Sequence, residues 1–343
     1  MPLRWALLVA VSALATTIME LAGLPAALLL GAMAAGIAFG VNGARMSVPR
    51  GPFIAAEAVL ACLIARAINP DIVETFASGW VLFLAFVLVI IAATSFMGYV
   101  MARAQVMPGT TAIWGTSAGG AAAMLMLAEE NGADARLVGF MQYVRVVMVA
   151  TAASVIAAYG FGATPGAGEA IDWFAPVDWI NLAFMLTVAL ASAAAGQVLR
   201  IPSGALLLPI VTTSALHAMG WLEIELPEWL LAISFALIGW RVGLDFTRRI
   251  LRHAAHALPA IIASALVLIL FCGGLGYTLT VIFGIDGLTA YLATSPGGLD
   301  SVAIIAASTP VDMPFVMALQ TFRLIAIMML GPWIARLIAR RLP

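Results

Sequence analysis

Thr294-Ser295-Pro296-Gly297-Gly298-Leu299-Asp300 stands at the middle of one apolar stretch, 288–309, and Thr116-Ser117-Ala118-Gly119-Gly120 at the middle of another, 109–130. The two breaks lie 178 residues apart, and at that offset residues 109–150 align with 287–328 without a gap, sharing 12 of 42 positions. The shared set includes Asp134 with Asp312, Gln142 with Gln320, and Arg145 with Arg323, and the same offset pairs Leu28-Leu29-Leu30 with Leu206-Leu207-Leu208. A gapless match over that length reads as an internal duplication. Repeat 1 covers 1–160, an outer linker 161–177, and repeat 2 covers 178–343.

The composition says where such a chain lives. It is 64% hydrophobic and 10% charged, with mean hydropathy +1.09, against about 45–50% and about 25% in soluble domains. That much apolar surface exceeds what one aqueous core buries, so the chain reads as an integral membrane protein. All 16 basic residues are arginine, and the net charge is −1. No basic footprint for nucleic acid is present. Cys62 and Cys272 each sit alone in apolar sequence, and His253 and His256 share an Arg-rich loop, so no disulfide framework, CxxC motif or metal cluster can be written. The Met1–Leu21 segment has the look of a signal peptide but reads as a retained first span.

About 20 apolar residues cross a hydrocarbon core of about 30 Å. Ten stretches qualify, at 3–21, 24–41, 53–69, 79–102, 136–160, 178–199, 204–221, 228–247, 257–283 and 314–338. The arginines decide how the two broken stretches are counted, because basic residues near span ends collect on the cytoplasmic side. If both breaks enter and leave by the same face, ten crossings place Arg4, Arg45, Arg50, Arg103, Arg136, Arg200, the Arg248–Arg252 run and Arg336–Arg341 inside, with both termini. If both cross fully, the Arg248–Arg252 run falls outside and the partition collapses. Re-entrant hairpins are therefore expected, kinked full spans being the alternative. Each repeat then has five crossings, and an odd number inverts the second repeat relative to the first. The predicted fold is all-α membrane, about ten transmembrane helices plus two broken hairpins in two inverted-topology repeats. Gly36 and Gly40 form a GxxxG on the second span, expected to let helices approach closely.

Irregular backbone at membrane depth is tolerated only where protein buries it or a cavity receives it. Thr116, Ser117, Gly119 and Gly120, with Thr294, Ser295, Gly297 and Gly298, combine hydroxyls suited to capping with glycines that let a ligand approach the backbone. The half-helix after each Gly-Gly aims its positive end at the membrane centre, where an anion is the natural ligand. Gln142 and Arg145, like Gln320 and Arg323, lie one turn apart on one face and well inside a span. Two readings stay open: the arginines pair with a substrate carboxylate, or they clamp hairpin carbonyls together with Asp134 and Asp312. Asp300 has no counterpart in repeat 1, where Ala122 stands, and is read either as a site for a coupling H⁺ or Na⁺ or as a helix-capping acid. Glu57 with Arg66, and Arg241 with Asp245, read as structural charges.

On these residues, and above all on Thr294-Ser295-Pro296-Gly297-Gly298-Leu299-Asp300 followed by Asp312, Gln320 and Arg323, the chain resembles the AbrB-type membrane protein family of Gram-negative bacteria over nearly its whole length. The first copy departs from that pattern at Ala118 and in lacking the acid. The family shares its name with an unrelated soluble DNA-binding regulator that nothing here resembles. Its members have been labelled regulators of gene expression or ammonia monooxygenases, and the second label finds no metal ligands in this sequence. By architecture the family is similar to glutamate, citrate and bile-acid transporters built from inverted repeats, which implies a transporter.

The function expected is a secondary transporter of a small organic anion, coupled to H⁺ or Na⁺ by alternating access, in a bacterial inner membrane. A homodimer is expected, with the lipid bilayer and the anion as its other partners. The rival is a membrane-embedded ligand sensor that regulates gene expression without transport, which would have to signal without a sizeable cytoplasmic domain. An enzyme is not expected, since no nucleophile, base and orienting group form a set.

Overall fold

A computed structural model describes residues 2–339, apart from 25, 45, 68–69, 108–109, 118–123, 125–127, 129–130, 162–172, 174–175, 200 and 202–203. Most of the expected linker, together with Gly119 and Gly120, therefore lies outside the described residues. Among them every regular element is a helix.

A helix covers each of the ten apolar stretches. They are α1 (Pro2–Leu21), α2 (Ala27–Val41), α3 (Arg50–Ala67), α4 (Pro70–Arg103), α6 (Ala135–Val155, continued by a π turn over Ile156–Gly160), α7 (Trp179–Val198), α8 (Gly204–Ala218), α9 (Glu228–Leu244), α11 (Leu258–Phe283) and α14 (Met313–Ala339). Between them lie α5 (Thr111–Thr116), α10 (Arg248–Ala254), α12 (Gly287–Thr294) and α13 (Leu299–Ala307). Six described helices are long and apolar enough to cross a membrane, or seven if α9 and α10, bent by 55°, are one span. The shortfall from ten has physical causes. α2 and α8 have 15 residues each, about 22 Å at 1.5 Å per residue, short of a core about 30 Å thick. α3 carries Arg50, Glu57 and Arg66.

The chain divides into two compact units, and neither follows a repeat boundary. Unit 1 holds α1–α3 and α7–α9. Unit 2 holds α5, α6, α10–α12, α14, most of α4 and the start of α13. Each takes its helices from both halves of the sequence.

In unit 1, α2 packs on α1 and α9, and α8 packs on α7 and α3. The second set of pairings is the first with each helix exchanged for its counterpart about 178 residues away in the other half. Small residues permit both. A Cβ on Gly36 would lie 3.0 Å from Gly243 Cα, one on Gly40 2.8 Å from the Phe246 carbonyl, and one on Gly239 2.7 Å from the Leu29 carbonyl. The GxxxG of α2 thus faces a second one, Gly239 and Gly243 on α9, and the two backbones touch. Trp240 closes the same edge, donating from Nε1 to Ser12 Oγ at 2.8 Å and standing edge-on to Trp5. Arg241 pairs with Asp245 at 3.6 Å, the structural role expected for it.

Unit 2 is built around the breaks. In the second, α12 begins at Asp286, whose carboxylate accepts the Leu288 and Thr289 N–H groups. It ends at Thr294, and α13 starts at Leu299 after four non-helical residues. With eight and nine residues, each arm reaches about 12–14 Å, a length close to half of a hydrocarbon core about 30 Å thick. The first break has the same entering arm, α5, and a non-helical Ser117.

Candidate functional site

Both hairpins are closed at the root. The Asp134 N–H donates to Thr111 Oγ1 at 3.1 Å, and the Asp312 N–H donates to Thr289 Oγ1 at 3.1 Å. Each segment returns to the place it left. The aspartates then cap the helices that follow. Asp134 Oδ1 accepts from the Arg136 and Leu137 N–H groups, and Asp312 Oδ1 accepts from Phe315 N–H. Asp134 also meets His253 of α10 at 3.3 Å. Burial raises the Asp134 carboxyl, but the Leu137 N–H, His253 and the Arg136 N–H outweigh it and hold the group below the ordinary carboxylate range.

At the tips the difficulty is a set of carbonyls. A helix that stops leaves its last C=O groups without partners, and no water serves them at membrane depth. At both breaks hydroxyls bond back to carbonyls of the entering helix, and amide and guanidinium groups take over the carbonyls left open. Thr116 Oγ1 donates to the Ala112 carbonyl and Thr294 Oγ1 to the Ala290 carbonyl, both at 2.9 Å. Ser117 Oγ donates to the Ile113 carbonyl at 2.8 Å, and Ser295 Oγ to the Leu292 carbonyl at 3.0 Å. These hydroxyls turn back to the entering helix. At the start of α13 the Gly298 carbonyl accepts from Val302 N–H and Ser301 Oγ.

Glutamine and arginine complete the set. Gln142 Nε2 reaches the carbonyls of Trp114 at 3.0 Å, Gly115 at 3.3 Å and Ser117 at 3.1 Å. Gln320 Nε2 reaches Leu292 at 2.7 Å, Ala293 at 3.3 Å and Ser295 at 3.2 Å, the same three positions displaced by 178. Arg145 Nη1 donates to the carbonyls of Thr116 at 3.1 Å and Ser117 at 2.7 Å. Its Nη2 donates to Gln142 Oε1. Arg323 Nη1 donates to the Ser295 carbonyl at 2.5 Å and Nη2 to the Gly297 carbonyl at 2.7 Å. None of the four residues is more than 3% exposed. A glutamine amide and a guanidinium together offer seven N–H donors, which suits a cluster of orphan carbonyls.

The tips share a neighbour. A Cβ on Gly297 would lie 3.0 Å from Val149 Cγ1, and one on Gly298 3.7 Å from Val146 Cγ2, both on α6. Since Arg145 holds the first tip, both tips rest on one turn of α6, about 6 Å of its axis. Beside the first tip lies a small hollow where the hydroxyl residues Thr94, Ser95 and Ser117 face Ile327 and Gly331 of α14. Among the described residues no group of three or more His, Cys, Asp or Glu could hold a metal ion.

Thr116, Ser117, Gln142 and Arg145 are thus brought together, as are Thr294, Ser295, Gly297, Gln320 and Arg323, with Gly298 at the start of the departing arm. The side chain of Asp300 lies outside the described residues. The sequence reading missed the roots Thr111 and Thr289, although both belong to the identical aligned positions. It also weighed His253 only as a metal ligand and so missed its partner 119 residues away.

An all-helical, strongly apolar chain with membrane-crossing helices and two clamped helix breaks defines a class of multi-pass membrane protein. Residues 28–339 match the family model described as "Transition state regulatory protein AbrB", and the chain belongs to that family. It is 44% identical over 342 residues to "Putative regulator AbrB" of Escherichia coli (strain K12), covering 99% of this chain and 98% of that one. It is 22% identical over 298 residues to "Uncharacterized protein YhjN" of Bacillus subtilis (strain 168), covering 82% and 77%. No solved structure matches.

Proposed function

We propose that the protein is a secondary transporter of a small organic anion, driven by H⁺ or Na⁺, with ten crossings and two re-entrant hairpins in inverted repeats. The observation that carries this is the pair of helix breaks in unit 2, each rooted on a threonine and clamped by a buried Gln–Arg pair. Two guanidiniums kept inside an apolar chain give the tips a positive field, and broken helices at membrane depth are the usual seat of a transporter's ligand. Unit 2 carries the anion and unit 1 serves as scaffold. The arginines act first as clamps, and the anion meets what the clamps leave over. Asp300, present in one repeat only, takes the coupling ion. Both termini face the cytoplasm of a bacterial inner membrane, the protein works as a homodimer, and no chemical step is catalysed.

The name of the Escherichia coli relative favours a second reading, a membrane sensor that binds the same anion and regulates without moving it. Purified protein in sealed proteoliposomes separates the two. Uphill accumulation of a labelled carboxylate, sulfonate or amino acid under an imposed H⁺ or Na⁺ gradient supports transport. Saturable binding without accumulation under either gradient supports the sensor.

A further inference from the structure

The two Gln–Arg pairs are not used alike. In the first, the Arg145 guanidinium donates to Gln142 Oε1 and closes the pair on itself. In the second, Arg323 Nη2 turns to the Gly297 carbonyl, and Gln320 Oε1 is left as a buried acceptor without a hydrogen-bond partner. Arg323 Nε is likewise buried without one, though the guanidinium Nε does not set the two pairs apart; the Gln320 oxygen does. Rotating the Gln320 amide cannot relieve this. Its Nε2 serves the carbonyls of Leu292, Ala293 and Ser295, and a flip would set oxygen against oxygen. A buried donor and a buried acceptor thus stand one turn apart on the same face of α14, on residues 2% and 0% exposed. Native proteins rarely leave such groups unanswered. Each entering half-helix also carries one buried aromatic donor without a partner, Trp114 Nε1 in the first and the Tyr291 hydroxyl in the second.

We infer that the second hairpin is the ligand-facing one, and that Gln320 and Arg323 select a small acid with a hydrogen-bond donor beside its acid group, a hydroxy acid or an amino acid. This rests on the anion reading above and narrows it. Arg323 Nε–H meets an oxygen of the acid group, and Gln320 Oε1 accepts the ligand's O–H or N–H. Side chains one turn apart on a helix have Cβ atoms about 5–6 Å apart, a span that groups on adjacent carbons bridge. An acid without the donor leaves Gln320 Oε1 unanswered, and that is the discrimination. Gln142 and Arg145 act only as a clamp.

The test is binding of matched acids to the purified full-length protein by calorimetry: lactate against propionate, glycolate against acetate, malate against succinate, alanine against propionate. The expected result is at least one donor-bearing acid that binds about tenfold or more tightly than its donorless partner. In Gln320→Leu that ratio falls to about twofold or less, the residue left when no buried group is lost. It survives in Gln142→Leu, which removes the same number of carbonyl contacts. Equal binding of both members of every pair overturns the inference while leaving the anion reading intact, and it is also what a gap filled only by water would give. A ratio that survives Gln320→Leu overturns it too. If no acid binds, the inference and the anion reading fall together. Should Gln320→Leu not fold, the wild-type ratio decides.

Discussion

Arg145 and Arg323 are the residues on which the account turns, because each answers two carbonyls at its break, one of them shared with the glutamine a turn earlier. Lysine carries the same charge but has no planar fork. Arg323→Lys is expected to release one carbonyl and to cost about 1–3 kcal/mol. Thermal unfolding in detergent should show a lowered midpoint at both acid and neutral pH. The tip glycines differ in what they tolerate. A side chain on Gly297 would meet Val302 Cγ2 at 2.9 Å and Val149 Cγ1 at 3.0 Å, whereas one on Gly298 finds its nearest neighbour at 3.7 Å. Gly297→Val should therefore lower thermal stability, and Gly298→Ala should leave it within about 0.5 kcal/mol of wild type; the reverse order would mean that the tip packs differently. The breaks were legible in the sequence because glycine and proline punctuate an apolar run. The job of Gln142 and Gln320 was not, since a glutamine's partners are carbonyls whose direction only the folded backbone supplies.

At the scale of elements, each hairpin is a short arm returned to its own root. Thr111→Val and Thr289→Val remove the acceptor for the Asp134 and Asp312 N–H groups. Each should cost about 1 kcal/mol and speed amide exchange at its own hairpin only, which mass spectrometry of exchanged peptides resolves. Asp134 adds a pH dependence. Its folded carboxyl lies below the ordinary value, so ionisation stabilises the native state above an unfolded value of about 3.9, and that contribution is lost as pH falls through the folded value. Asp134→Asn should remove this part of the acid destabilisation, leaving a shallower fall in thermal midpoint below about pH 4. The positions of the helices were legible from apolar runs alone, but their lengths were not. α2 and α8 end early because Asn42 and Gly43 follow one and Met219 and Gly220 the other, with Gly43 and Gly220 at positive φ. The facing pair Gly239 and Gly243 passed unnoticed because close approach concerns two helices and sequence periodicity reads one.

At the scale of the molecule, the duplication and the compact units cut the chain along different lines, and each unit gathers helices from both halves. That interleaving was invisible to a reading that took the repeats as domains, because an offset in sequence says which segments are alike and nothing about which segments pack. Asp134 and His253 meet within unit 2, which puts the start of α6 at the same end as α10 with its arginines. The central claim is that the hairpin tips carry an anion from one side of the membrane to the other. One residue at a tip must then face both sides in turn. Gly298 is partly buried and has room for a side chain, so Gly298→Cys, in a protein with Cys62 and Cys272 replaced, is the position to probe in membranes of known orientation. The account predicts that a membrane-impermeant thiol reagent modifies it from the outer face and, separately, from the cytoplasmic face, and that a bound acid slows both reactions. Modification from one face only, whatever acid or gradient is present, would contradict it.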